Sequence, residues 1–105
     1  MEDLFMRLNI NAVHFKADKK LIAFIKEKTE KITQVFDGVI DTDVSLKVDN
    51  TDERENKIAE IRVSIPGNNF YVKKQSATFE ESADEAVEAL RRQLKKYKEK
   101  IRGNY

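Results

Sequence analysis

Phe79, Ala83, Ala86, Val87, Leu90, Leu94, Tyr97 and Ile101 recur at a regular spacing near the end of the chain. Advanced by about 100° per residue, they form a single stripe. A strand alternates with period two and cannot keep such a stripe together. The segment is therefore a long amphipathic helix, and the rest of the chain must supply an apolar surface for it to cover.

That surface is written upstream as alternation. Met6, Leu8, Ile10 and Ala12 alternate with Arg7, Asn9 and Asn11, which makes Phe5–His14 a strand with one apolar face. Val44, Leu46 and Val48 form a second such face, and Ala59, Ile61, Val63 and Ile65 a third. Asn50–Asn56 is polar and turn-like, Pro66-Gly67-Asn68-Asn69 reads as a turn, and Phe70–Ala77 follows as a fourth strand, hairpinned to the third. Between the first two strands, Leu21, Ile25, Ile32 and Phe36 share a helical face flanked by Phe24 and Val35. Asp18 can cap that helix and Asp37-Gly38 can end it. Thr78 precedes Phe79, already a member of the long stripe, and has Glu81 three residues on, so Thr78 caps the last helix, which runs to about Arg102 before Gly103. The expected fold is α+β, in the order β-α-β-β-β-α. Its four-stranded sheet carries both helices on one face and leaves the other to water.

The chain of 105 residues fits one domain, 1–105, with no repeat or linker. It has no cysteine, no apolar signal core at its start and no apolar run near the length of a membrane span, so a cytoplasmic location is the expectation.

Net charge is only +1, but it is unevenly spread. Residues 91–105 hold seven cations (Arg91, Arg92, Lys95, Lys96, Lys98, Lys100 and Arg102) against the single acid Glu99, while residues 1–90 hold 13 basic and 18 acidic side chains. With Leu90 at 0°, Arg91, Lys95, Lys98 and Arg102 fall between about 80° and 140°, and Arg92, Lys96 and Lys100 between about 200° and 280°, on either side of the apolar stripe. Cations near a helix C-terminus offset its dipole, but one or two in the last turn suffice. Seven along the last three turns point to a polyphosphate partner, each contact releasing a counterion. With no tryptophan and no paired aromatic platform on the strands, contacts to phosphate and shape are expected rather than base reading.

Two further sites join this surface as candidates. Lys28 lies inside the apolar stripe of the first helix, about 20° from Leu21. It reads either as a lysine snorkelling at a groove edge or as a cation emerging between the helices. Lys73 and Lys74 alternate on the fourth strand, so only one of them can serve a given face.

Catalysis has little to work with. His14 is the only histidine and ends the first strand, and the three glycines all sit at turns or helix ends, so there is no phosphate-binding loop. One histidine and no cysteine exclude a clustered zinc site. Asp41 and Asp43 are paired acids before a strand, which are usually turn residues, and Asp49, Asp52, Glu53 and Glu55 lack the glycine and terminal glutamate of a calcium loop. No nucleophile–base pair stands out, and no enzyme, metal, cofactor or small-molecule substrate is expected.

The stretch from Thr78 to Lys98, with Ala83-Asp84 and the block Arg92-Gln93-Leu94-Lys95-Lys96, resembles the C-terminal helix of the bacterial ribosome hibernation promoting factor and protein Y family of ribosome-associated translation inhibitors. The order of elements fits that family along almost the whole chain. Two positions depart from its pattern: Thr78 stands where the family has an aspartate cap, and Glu80 where it has an aromatic, with Phe79 beside it to take over packing. The chain, ending at Tyr105, is similar to the short forms, without a dimerisation domain or an acidic tail.

The resemblance implies a fold similar to a double-stranded RNA-binding domain with an added first strand. It implies binding to the RNA of the small ribosomal subunit, over the messenger channel and tRNA sites, and silencing of translation in stationary phase as idle ribosomes or ribosome dimers. The RNA contacts it implies are Arg91, Arg92, Lys95, Lys96 and Lys98, with Lys28 and Lys74, and Arg102 extends the same ridge. From the residues alone, two other readings stay open: a general double-stranded RNA-binding module, or a protein-interaction domain acting through its acidic body.

Overall fold

Asp18 starts the first helix as expected: its carboxylate accepts the Leu21 N–H at 2.8 Å, and the chain then winds through α1, Lys19–Val35. The computed structural model describes residues 7–50 and 54–102, together with the backbone but not the side chain of Arg102. Around α1 it places β1 (Arg7–Ala12), β2 (Asp41–Val48), β3 (Lys57–Ile65), β4 (Asn68–Ser76) and α2 (Phe79–Arg102). The strands form one sheet in the order β1-β2-β3-β4. β1 lies parallel to β2, with α1 as the crossover that parallel neighbours require, and β2, β3 and β4 run as an antiparallel meander.

Register sorts the side chains into two faces. Rows such as Ile10–Val44–Ile61–Val72 and Leu8–Thr42–Val63–Phe70 lie under the helices. There they join Leu21, Ile25 and Ile32 of α1 and Ala83, Ala86, Val87, Leu90 and Leu94 of α2 in one core. Rows such as Asn9–Asp43–Arg62–Tyr71 form the open face. The α+β order and the one-sided placement of both helices stand as read from the sequence.

Several local readings shift. The hairpin between β3 and β4 is tighter than expected: Ile65 pairs with Asn68, and only Pro66-Gly67 turns, with Gly67 at φ +81°. Proline followed by a positive-φ glycine is the combination a two-residue turn of this kind favours. Val48, grouped with Val44 and Leu46, is 45% exposed; Thr42 takes the third buried place on β2. His14 is not in β1 but in the turn after it, with φ 62°. In α1 the stripe position is filled by Thr29, fully buried, whose hydroxyl donates to the Ile25 carbonyl at 2.8 Å, while Phe36 becomes the C-cap residue and Gly38 turns away at φ +95°. Phe5, Met6, Asp52, Glu53, Gly103 and Tyr105, which entered the sequence reading, lie outside the described residues.

Candidate nucleic-acid interface

Thr78 fixes where α2 begins. Its hydroxyl accepts the Glu81 N–H at 3.0 Å and its carbonyl the Ser82 N–H at 3.1 Å. Phe79 stacks on Phe15 with ring centroids 5.1 Å apart, the packing expected of it. Ser82, fully buried, donates to the Lys57 carbonyl at 2.6 Å and ties the first turn to β3. Further along, Tyr97 packs against Phe36 at the end of α1 and edge-on to Phe70 of β4. Past Tyr97 the stripe runs off the body: Ile101, a stripe member, is 56% exposed. The cationic stretch therefore rides on a helix clamped at both ends of its buried length, with its last turn free of the core.

The two flanks of that stretch face different surroundings. On the flank toward α1, Arg91 donates through Nη1 to both Glu88 oxygens, at 3.2 and 3.3 Å. Lys98 donates to the Val35 carbonyl at 3.3 Å. Val35 closes α1, whose last turn has no cation of its own, so Lys98 serves one of the carbonyls that the helix end leaves unpaired. Lys95 on this flank is exposed and makes no ion pair among the described residues. Gln34, Val35, Arg91, Lys95, Lys98 and Glu99 line a cleft of about 410 Å³ between the end of α1 and the far half of α2. On the other flank, Arg92, Lys96 and Lys100 are exposed and likewise unpaired among the described residues.

Lys28 does emerge between the helices, but it has a partner. Its ammonium lies 2.9 Å from Asp84 on α2 and 5.6 Å from the centre of the Phe24 ring, with the side chain 22% exposed. The hydrogen bond it donates to Asp84 raises its pKa above the ordinary lysine value, outweighing partial burial. Lys28 thus belongs first to the seam between helices and only its margin is open to a partner. Lys74 pairs with Ala59 in register and falls on the same face as buried Val72 and Ser76, so it lies on the helix-covered side of edge strand β4, while Lys73 takes the open face. The side chain of Arg102 lies outside the described residues.

Of the residues read from the sequence, Arg91, Lys95 and Lys98 come together at the cleft, and Arg92 and Lys96 stand on the opposite flank. Asp84 and Glu88, which hold Lys28 and Arg91, did not figure in that reading as partners. Glu88 was accessible to it as the i−3 neighbour of Arg91. Asp84 and Gln34 carried no local signal, because only the packing of α1 on α2 brings them into the site. Among the described residues no group of three or more His, Asp or Glu side chains could hold a metal ion, and no helix is long and apolar enough to cross a membrane.

The sheet is backed by two helices, and the second ends in an exposed cationic stretch. The family described as sigma 54 modulation protein / S30EA ribosomal protein matches residues 8–102. The chain belongs to that family, one of ribosome-associated proteins that are not enzymes. It is 27% identical over 95 residues to a ribosome hibernation promoting factor from Pseudomonas putida, covering 90% of this chain and 89% of that one. To the Klebsiella oxytoca factor of the same name it is 26% identical over 97 residues, covering 92% and 98%. In fold it matches the N-terminal domain of Thermus thermophilus protein Y, with a TM-score of 0.74, 21% identity and coverage of 90% and 99%. It also matches a ribosomal subunit interface protein from Coxiella burnetii, with a TM-score of 0.78, 19% identity and coverage of 89% and 98%.

Proposed function

We propose that this protein acts as one ribosome-binding domain over residues 1–105, in the cytoplasm. In this reading it binds the RNA of the small ribosomal subunit through the far half of α2 and silences translation by occluding the messenger and tRNA sites. The observation that carries this reading is the exposed, unpaired set Arg92, Lys95 and Lys96 on a helix whose other face is locked into the core. Unpaired cations on a rigid element attract a polyphosphate without first breaking internal salt bridges. The names carried by its relatives in Pseudomonas putida and Klebsiella oxytoca support hibernation as the outcome. Arg91 and Lys98 add to the contact once their internal partners are exchanged, with Arg102, Lys28 and Lys74 at the margins. The mechanism is steric and needs no cofactor.

The test is binding of labelled protein to empty small subunits and to subunits preloaded with messenger and initiator tRNA. Two ligands of one site exclude each other by mass action, so preloaded complexes should resist and empty subunits should bind. Equal affinity for both would place the protein elsewhere on the ribosome and end the occlusion mechanism. Sedimentation of cell extract adds a second check: co-migration with subunits, monosomes or ribosome dimers is expected, and migration with free protein would count against ribosome binding altogether.

A further inference from the structure

The cleft at the seam of the two helices contains an unusual donor. Arg91 is a permanent cation with five N–H donors in a planar fork. Glu88 takes only Nη1. Nε is buried and has no hydrogen-bond partner, so the side chain, 31% exposed and held by Glu88, must swing off that acid before Nε meets a ligand in the cleft. A buried polar group left unpaired is costly and uncommon, more so on a charged side chain. The edge formed by Nε and Nη2 matches two oxygens of a phosphate in the bidentate geometry that distinguishes arginine from lysine. Lys95 lines the same cleft with its ammonium unpaired, and Lys98 lines it while bound to the Val35 carbonyl. That last bond offsets the negative end of the α1 dipole, which would otherwise repel an anion entering here. Glu99 is the only acid in the lining.

We propose that this cleft is a phosphate seat, filled by a backbone phosphate of the bound RNA, with the Nε–Nη2 edge of Arg91 as its bidentate donor and Lys95 as its second cation. Glu88 acts as an internal stand-in that holds Arg91 until the phosphate arrives. The RNA as source of the phosphate rests on the function proposed above; the seat itself does not.

The experiment follows the arginine Nε–Hε signals of the isotopically labelled full chain by NMR. The chain is titrated with inorganic phosphate at constant ionic strength and, separately, with a short RNA duplex. The expected result is a saturable shift of the Arg91 signal with both titrants, while Arg92, exposed on the opposite flank, shows no saturation with phosphate. If Arg91 and Arg92 drift together in proportion to titrant, or if neither titrant saturates Arg91, the seat does not exist. Saturation with phosphate but not with RNA would overturn the RNA assignment and leave a site for a free anion. Saturation with both in a protein that fails to bind ribosomal subunits would sustain the seat and sink the ribosomal reading.

Two substitutions separate binding from a structural role. Glu88→Gln removes the competing carboxylate and should tighten phosphate binding; unchanged affinity would overturn the stand-in role of Glu88. Arg91→Lys keeps the charge but not the fork. It should abolish saturation, followed in this variant at the backbone amide of Lys95, while the log–log salt slope for RNA changes far less than the roughly 0.9 lost with a whole contact. Retained saturation in Arg91→Lys would mean that the fork is not the donor.

Discussion

The two halves of α2 use one helix for opposite purposes. From Phe79 to Leu90 the helix buries Ser82, Ala83, Ala86, Val87 and Leu90 completely, and its outward acids Glu80 and Glu81 lie where a helix N-terminus favours negative charge. From Arg91 onward only Leu94 is fully buried among the described residues, Tyr97 is half-buried among aromatics, Ile101 is exposed, and cations crowd both flanks. The helix therefore takes its stability from one half and presents charge with the other. Charge concentrated on a firmly anchored rod need not be ordered when a partner arrives, which removes one entropic cost of binding.

The largest test of that division removes its anchor. Leu90→Ala, a deletion at a fully buried position, should lower stability by roughly 2–5 kcal/mol, since the closed core can only partly collapse around the space. Denaturant unfolding measures it, and a loss of only a few tenths would mean that the near half does not hold the helix. The counterpart is the triple variant Arg92→Ala, Lys95→Ala, Lys96→Ala. Its thermal midpoint should stay nearly unchanged, because exposed unpaired cations contribute little to folding. Its affinity for small subunits should fall by about a hundredfold near physiological salt, with a log–log salt slope shallower by about 2.7 for three lost phosphate contacts. Unfolding of this variant, or an unchanged slope, would break the comparison from the other side.

A smaller effect sharpens it. Lys98 sits in the offered half yet binds the last carbonyl of α1. Lys98→Met keeps the stem and removes the donor. It should destabilise the fold by about 0.3–1 kcal/mol, the usual range for a cation at a helix C-terminus. Amide hydrogen exchange should locate the change in the last turn of α1. If exchange there is unaffected, Lys98 belongs wholly to the binding surface.

The sequence made the fold readable because each element carries its own period. Thr78 and Asp18 could be placed as caps from local chemistry, and the helix-side faces of β2 and β3 from alternation, since nothing distant competes with those signals. The misplaced Val48 shows the limit: alternation says which face a side chain takes, not how completely it is covered there. The site divides in the same way. Helical angles separated the two cationic flanks correctly as sets, because both lie on one element. They could not say that one flank would meet the end of α1 and the other stay open, nor that Lys28 would find Asp84, since those facts depend on how the two helices are rotated against each other. Glu88 and Arg91 are the intermediate case, a local i, i+3 pair whose importance emerges only with the buried, unpartnered Nε.

The smallest prediction concerns that rotation, and it tests whether the near half of α2 is purely a core element. Lys28 of α1 and Asp84 of α2 form a charged link across the seam at 2.9 Å, beside the Phe24 ring. Asp84 raises the Lys28 pKa above the ordinary 10.5. A lysine with a raised folded-state pKa contributes stability that is fully present below its unfolded value and is lost as pH rises through the folded one. Between pH 7 and 9 the lysine is charged in both states, so its contribution should be flat; above 10.5 it should fade. Lys28→Met retains the stem packing and removes the charge, so the gap in thermal midpoint between the unaltered protein and this variant should be small and constant from pH 7 to 9, then close as alkaline pH neutralises the ammonium. The gap should also narrow in high salt, because the pair is only partly shielded from water. A gap that persists unchanged above the folded-state pKa would mean that Lys28 acts through its stem, and that the two helices are set against each other by shape alone.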